Sequence, residues 1–498
     1  MRLPAPLLVL AVAGFAALPA AHAIDAPGKG AKLHSEGGDN ARSLAISTEA
    51  RKDDFDGMLR RRVVRVYVPY SRSLYFVDKG RERGISAYLI REFERWVNRK
   101  YARQLAKRPL TVLAVVATRD RLRADLLEGH ADIAVGNIKV IPELQKDVDF
   151  VAPDETAAST EILVTGPASP AITSLDDLAG KTVHARKASS FYLSLVALNE
   201  RLKKERRDPV RIVLLPDALE DEDMLEMLNA GVLQAVVADD WKAKAWAQVL
   251  KKIKPREDIV LRPKTRIGWA IRKGSPKLAA ELTEFYAQFV GKQGGGTRLL
   301  REYASRVKQI HDPTAAADQK RFDGLVALFR KYGAQYKFDP LMLAAQGYQE
   351  SQLNQNAKSH VGAIGVMQIM PATGAELKVG DIRQVEPNIH GGAKYMDQLV
   401  SKNFPDAKFD EQNRTLFAFA SYNCGAGNVS RMRKLAAQRG LDPDQWFNNV
   451  EVVTAEKIGA ETTTYVRNIF KYYAAYRLTA DARAEAEKLK RQAAPAKK

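Results

Sequence analysis

The sequence predicts a two-lobed α/β domain followed by an all-α domain, and three observations carry that expectation. Between Val63 and Asp240, short apolar runs alternate with helical patterns, and one strand–helix–glycine–strand unit occurs twice. From Phe322 onward the only sustained period is that of a helix. Between these regions, 303–319 with its HDPTAAADQ stretch has neither period and reads as a linker. The expected units are 1–23, 24–55, 56–302, 303–319, 320–480 and a basic tail at 481–498.

The chain has 498 residues, room for about three domain-sized units, and 46% of them are hydrophobic, which fits folded domains and excludes a disordered protein. Residues 1–23 read as a secretory signal peptide: Arg2, an apolar run from Leu7 to Leu18, then Ala21-His22-Ala23 as a small-x-small cleavage site. No later stretch approaches the roughly 20 apolar residues of a spanning helix. The mature chain is expected to be exported to the periplasm, soluble or peripheral, with peripheral attachment to the outer membrane compatible with its surface charge. One cysteine, Cys424, excludes an intrachain disulfide. The net charge of +19 predicts attraction to polyanions. For an exported protein these are peptidoglycan carboxylates and anionic lipid head groups, and nucleic acid is not an expected partner.

Residues 24–55 are rich in Gly, Ser and charge and read as a disordered leader. Order begins with the strand Val63–Val68. A helix over 88–101 and a strand over 110–117 follow, then a helix over 122–127 closed by Gly129 and a buried strand from Ile133. The second copy has strands at 182–186 and 212–215, a helix over 224–228 closed by Gly231, and a strand from Ala235 that ends at Asp239. The alternation predicts parallel sheets flanked by helices, in two lobes with a ligand cleft between them. Beyond Phe322, helices are expected near 322–334, 340–352, 388–402, 411–422, 428–438 and 462–488.

The stretch that carries chemistry is AQGYQESQLNQNAKSHVGAIGVMQIMP, from Ala345 to Pro371. Asp339 can cap a helix and Pro340 suits its first position. Glu350 then falls about three turns in, near the C-terminal end, where the macrodipole opposes negative charge. An apolar, dipole-opposed Glu is raised in pKa, as a general acid at neutral pH requires. A Glu in that position is also commonly a plain surface residue, so the window alone leaves both readings open.

Resemblance narrows them. Glu350-Ser351, Ala357-x-Ser359, Gly365-x-Met367-Gln368 and Met370-Pro371-x-Thr373 resemble the catalytic segment of lytic transglycosylases of the soluble-lytic-transglycosylase type, which cleave peptidoglycan. Later blocks follow in order: Asn388-Ile389 to Tyr395, Ala420 to Asn428, and Glu461-Thr462 with Tyr465-Val466. The resemblance implies an all-α lysozyme-like domain and Glu350 as both acid and base. It also implies sugar contacts by Ser359, Gln368, Met370, Tyr422, Asn423, Glu461 and Tyr465. For each of these seven, a core or capping role is the alternative. No second acid lies in the window (the next is Glu376). The resemblance resolves this by letting the substrate's own C6 hydroxyl attack, giving 1,6-anhydro-muramic ends. No cofactor or metal is implied. Two competing readings are a hydrolase of the goose-type lysozyme kind and a periplasmic receptor with an inactive helical domain.

The pieces LLEGHADIAVGNIKVIPELQKDVDFVAP, SLDDLAGKTVHARKASSFY and LNAGVLQAVVADDW resemble bacterial extracellular solute-binding proteins of the amino-acid type. This implies a periplasmic-binding-protein-like fold for 56–302. Where that family carries a carboxylate-clamping Arg, this chain has Leu144. Lys139, Ser189, Ser190 and Asp239 are the expected cleft residues, with helix capping the alternative for the two serines. The expected cleft ligand is a muropeptide or stem peptide, binding of which regulates Glu350.

Overall fold

The computed structural model describes residues 50–78, 81–152, 158–289 and 316–493. The signal-like segment, nearly all of the leader, most of the linker and the end of the tail lie outside the described residues. At its described end the leader is shorter than expected. Arg51 donates its N–H to the Gly129 carbonyl at 2.8 Å, and Asp54 caps the helix Phe55–Arg61.

Eleven described strands build the α/β half: β1 (Val63–Val68), β2 (Phe76–Asp78), β3 (Arg81–Arg83), β4 (Thr111–Val116), β5 (Ile133–Lys139), β6 (Val148–Val151), β7 (Ala158–Thr165), β8 (Thr182–Arg186), β9 (Arg211–Leu215), β10 (Ala235–Asp239) and β11 (Lys254–Arg272). β2 and β3 form a separate pair, and the others run β4-β1-β5-β11-β7-β10-β8-β9, with β6 also on β11. Within each lobe the expected parallel pairs occur, β4 with β1 and β1 with β5, then β10 with β8 and β8 with β9. The sheets are nevertheless mixed, which corrects the all-parallel expectation. β11 lies antiparallel to β5, β6 and β7, and β7 lies antiparallel to β10. β11 belongs to both lobes and joins them along one continuous ribbon.

Gly129 and Gly231 end their helices in the left-handed region, at φ 87° and 90°, where a side chain would be strained. The helical half begins earlier than expected, with Ala316–Tyr336, so 316–319 are helix rather than linker. The other forecast helices are present as Pro340–Ser351, Val385–Asn403, Glu411–Cys424, Ala426–Gln438 and Ala460–Ala493. Pro371–Leu377 and Glu451–Lys457 were not forecast.

One hydrophobic core runs without a break from the second lobe (Ile162, Leu225, Trp246) into the helical half (Phe329, Phe417, Trp446, Ile469). The first lobe has its own cluster, around Val66, Phe93 and Phe285. At the junction, the helix Asp221–Ala230 buries Asp221, Glu222, Asp223 and Glu226. Lys471 of Ala460–Ala493 pairs with Glu226 at 2.5 Å, and Arg72 of the first lobe pairs with Glu226 at 2.6 Å and Asp223 at 2.9 Å. Arg467 holds Glu451 at 2.5 Å, approaches Asp223 at 3.5 Å and donates to the Ala218 carbonyl at 3.0 Å. Three parts of the chain thus meet on one acidic helix whose charges would be costly to bury unpaired.

Candidate active site

Asp339 accepts the Leu341 N–H at 2.7 Å and starts the helix Pro340–Ser351, which buries Met342 to Tyr348 without interruption. Gln352 closes it in the left-handed conformation, so Glu350 stands in the last turn, where the exposed carbonyl ends oppose a negative charge. Gly347 on this helix lets the following loop approach closely: a Cβ there would lie 3.0 Å from Val366 and 3.3 Å from the Met367 sulfur.

That loop is a small ladder. Gly365 N–H bonds the Ala357 carbonyl, and Ile364 and Ile369 exchange bonds of 2.9 and 3.0 Å. Gly365 has φ 81°, and a Cβ on it would sit 2.4 Å from the Asn388 amide nitrogen. Asn388 is fully buried; it accepts from Met367 N–H at 2.8 Å and donates to the Ile364 and Ile382 carbonyls at 2.8 and 3.0 Å. It fixes the loop from behind.

Glu350 is partly buried, and burial pushes its carboxyl up to about 7, while the hydrogen bond from Tyr465 pulls it down. Tyr465 donates to its Oε1 at 2.5 Å. Burial and the Tyr465 hydrogen bond are the two causes of that shift. Tyr422 lies close enough to Glu350 that burial and then that carboxylate raise its own phenol. It donates to the Met367 carbonyl at 2.7 Å and meets Tyr395 edge-to-face at 5.3 Å between ring centres. A half-buried acid near neutral pKa, walled by two phenols, can donate a proton and take one back.

The remaining expected residues divide. Asn423 accepts from the Thr462 hydroxyl at 2.8 Å, tying two of the sequence blocks together. Ser359 and Gln368 serve the ladder, Ser359 accepting from Ala363 N–H at 2.9 Å and Gln368 donating to the Gly365 carbonyl at 2.9 Å. Met370 precedes the helix Pro371–Leu377, half-buried. Glu461 is exposed in the first turn of Ala460–Ala493, and no described hydrogen bond or ion pair joins it to Glu350. Cys424 has its thiol pushed up to about 11 by burial, unsuited to a nucleophile. Sequence reading missed Gln346, one turn before Glu350. It is fully buried beside Tyr465, whose phenol burial and then the Glu350 carboxylate raise, and its amide has no partner in hydrogen-bonding geometry. The signal was a lone amide within an otherwise apolar run.

In the α/β half, Lys139, Ser189 and Ser190 line a cavity of about 360 Å³, together with Arg119, Arg186 and Leu144. Ser189 caps the helix Ser190–Lys204, accepting from Tyr192 N–H at 3.2 Å. Asp239 is fully buried and takes its bonds from within the chain, from Ser159 at 2.6 Å and from Asn137 and Lys139. Arg119 reaches across to Glu220 on the second lobe at 2.9 Å. Among the described residues no three His, Cys, Asp or Glu side chains are grouped so that they could hold a metal ion.

Residues 327–444 match the family of the transglycosylase SLT domain. That match lies in the helical half. Glu350, Gly365 and Asn388 all fall within it, and Tyr465 is added from the helix beyond. The chain is also 28% identical to a protein named membrane-bound lytic murein transglycosylase F from Desulfosudis oleivorans, over 71% of this chain and 79% of the relative. A namesake from Ectopseudomonas mendocina is 28% identical over 74% of this chain and 78% of its own, and one from Stutzerimonas stutzeri 26% over 82% and 84%. The last alignment spans 434 residues, more than either half contains, so it runs through the α/β half and the helical half together. No described helix is long and apolar enough to cross a membrane.

Proposed function

We propose that this chain is a peptidoglycan lytic transglycosylase, cleaving the β-1,4 bond between N-acetylmuramic acid and N-acetylglucosamine without water. The observation that carries this is Glu350: partly buried, raised to about 7 and bonded by Tyr465, with no carboxylate among the causes of its shift. Inverting and retaining hydrolases need two carboxyl groups; a single acid suits an internal nucleophile. Glu350 protonates the glycosidic oxygen, and the C1–O bond breaks. The resulting carboxylate takes the proton of the C6 hydroxyl, whose oxygen closes on C1 to form the 1,6-anhydro ring. Glu350 ends protonated, and no water is consumed. Tyr465 holds the carboxyl in place throughout, and Tyr422, Asn423, Ser359, Gln368 and Met370 are assigned to the sugar-binding walls. Glu461 is assigned there too, from the rim.

The setting is the periplasm, with the chain held peripherally at the outer membrane. A muropeptide or stem peptide in the α/β cleft would modulate the lytic site. Support comes from the helix Ala460–Ala493, which carries Tyr465 and is pinned through Lys471 to the second lobe. A coupling of about 1–3 kcal/mol is typical of such arrangements.

Mass spectrometry of a digest of purified sacculi tests the reaction. The expected products are one water lighter than reducing-end muropeptides and take up no label from heavy-oxygen water. Labelled reducing ends would refute it.

A further inference from the structure

The helix Pro340–Ser351 carries one buried polar group for which the lytic reaction has so far no use. Gln346 is fully buried, and its helix neighbours Leu343, Ala344, Ala345 and Tyr348 are at most 1% exposed. Among the described residues, neither its Nε2 nor its Oε1 has a hydrogen-bond partner. A buried amide left unpaired is destabilising, and an apolar side chain of the same length would suit the position better. The fold tolerates this strain one helical turn from the acid.

The surroundings of the amide limit what it can reach. Residues four apart are neighbours on a helix surface, so Gln346 and Glu350 share a face. The helix Ala460–Ala493 lies along that helix: Tyr472 meets Tyr348 edge-to-face at 4.8 Å, and Tyr465 donates to Glu350 Oε1 at 2.5 Å. A phenol has one donor and two acceptor lone pairs. The Tyr465 donor is taken by Glu350, which leaves its oxygen as an acceptor near the unpaired Gln346 donor. The two are close enough to interact: burial and the Glu350 carboxylate raise the Tyr465 phenol, and Gln346 opposes them.

The other titratable groups along these helices are engaged elsewhere. Tyr422, from Glu411–Cys424, donates to the Met367 carbonyl, and Asp318, from Ala316–Tyr336, accepts the Tyr348 phenol. Tyr472 and Tyr476 pack on the Tyr348 ring, and Arg467 and Lys471 turn to Glu451 and Glu226. Lys358 and His360 of the ladder loop are exposed.

We infer that Gln346 is a positioning residue for the acid: its Nε2–H closes on the Tyr465 oxygen as Glu350 gives up its proton, and so holds the hydroxyl aimed at the carboxylate. An ionised Glu350 polarises the phenol and makes its oxygen a stronger acceptor, and each bond in such a chain strengthens the next. The chain runs from Gln346 to Tyr465 to Glu350 and steadies the carboxylate until the C6 hydroxyl returns a proton. This rests on the proposed role of Glu350 and adds a residue that acts through Tyr465.

Gln346→Met removes the amide and keeps the length. The full chain is measured for turnover on sacculi between pH 5 and pH 10, for the Glu350 titration by carbon NMR and for melting temperature. Each is repeated in a Tyr465→Phe background. Turnover is expected to fall about two- to tenfold, the equivalent of one net hydrogen bond. The Glu350 pKa should rise by up to about half a unit, since the bond from Tyr465 loses about 10–30% of its strength. The melting temperature should hold or rise, which a lost packing contact would not give. In the Tyr465→Phe background the substitution should change neither turnover nor titration, because the chain is already cut. Unchanged turnover, a Glu350 pKa that stays or falls, a lower melting temperature, or equal losses in both backgrounds would each overturn the inference. Titration and melting are read without products. Hydrolytic products would therefore refute the lytic reading and leave this one standing, and an additive cycle would do the reverse.

Discussion

Replacing Tyr465 with Phe removes one hydroxyl and, with it, the one described hydrogen bond to Glu350. The phenol donates to Oε1, so it stabilises the ionised carboxylate, and its removal must raise the pKa rather than lower it. A hydrogen bond to a charged group contributes about 1.5–3 kcal/mol, and one pKa unit corresponds to about 1.4 kcal/mol, so the shift is roughly one to two units. From about 7, the carboxyl of the variant should move to about 8 or 9. The first chemical step uses the protonated acid, so the alkaline limb of the pH–rate profile should move upward by that amount. The plateau rate should fall, because the carboxyl loses its orienting partner. The assay is muropeptide release from sacculi between pH 5 and pH 10, alongside a direct titration of Glu350 by carbon NMR with isotope-labelled glutamate. An alkaline limb that stays in place, or moves to lower pH, would refute both the donor role of Tyr465 and the burial argument for Glu350.

Glu350→Gln should abolish turnover, since an amide cannot pass the proton on, and it should also stabilise the fold at high pH. A carboxyl raised from 4.5 to about 7 loses stability as pH climbs through that window, by about 3 kcal/mol at most; the variant should therefore melt higher than its parent at pH 8 and alike at pH 4. Lys471→Met leaves Glu226 and Asp223 with Arg72 and the more distant Arg467. An expected loss of about 3–5 kcal/mol would be measured by denaturant unfolding, and a neutral result would show that the junction is not held by charge. Gly365→Ala combines a left-handed backbone with a clash on Asn388. A loss of at least about 2 kcal/mol is expected from strain and broken bonds, with lytic activity falling even where the variant still folds.

Much of this architecture could be read from local signals, because the forces that set it are local. Gly129, Gly231 and Pro340 mark ends and beginnings through their own backbone preferences, and β1 and β8 lie where their β-branched residues put them. β11 could not be read. Its sequence KPREDIVLRPKTRIGWAIR carries two prolines and many charges, and it is extended because β5, β6 and β7 supply partners from far along the chain. The acidic run from Asp221 to Glu226 looks like a solvated helix face. It is buried because Arg72 and Lys471, remote on either side in sequence, converge on it. In the candidate site, Glu350 was legible from its capped helix only together with the resemblance of the blocks around it. Gln346 and the anchoring of Asn388 were not, since only packing shows that their amides face inward.

The unequal partition of the core has a consequence for how this protein can change over generations. The second lobe and the helical half exclude water together, so neither can be traded for a foreign module without exposing the other's interior. Part of the cavity wall in the α/β half, Leu122, Leu126, Ala134, Val148 and Ala270, belongs instead to a small satellite cluster. Substitutions there alter what the cleft accepts while leaving the shared interior untouched. Natural variation is therefore expected to be conservative across the junction and permissive around the cavity.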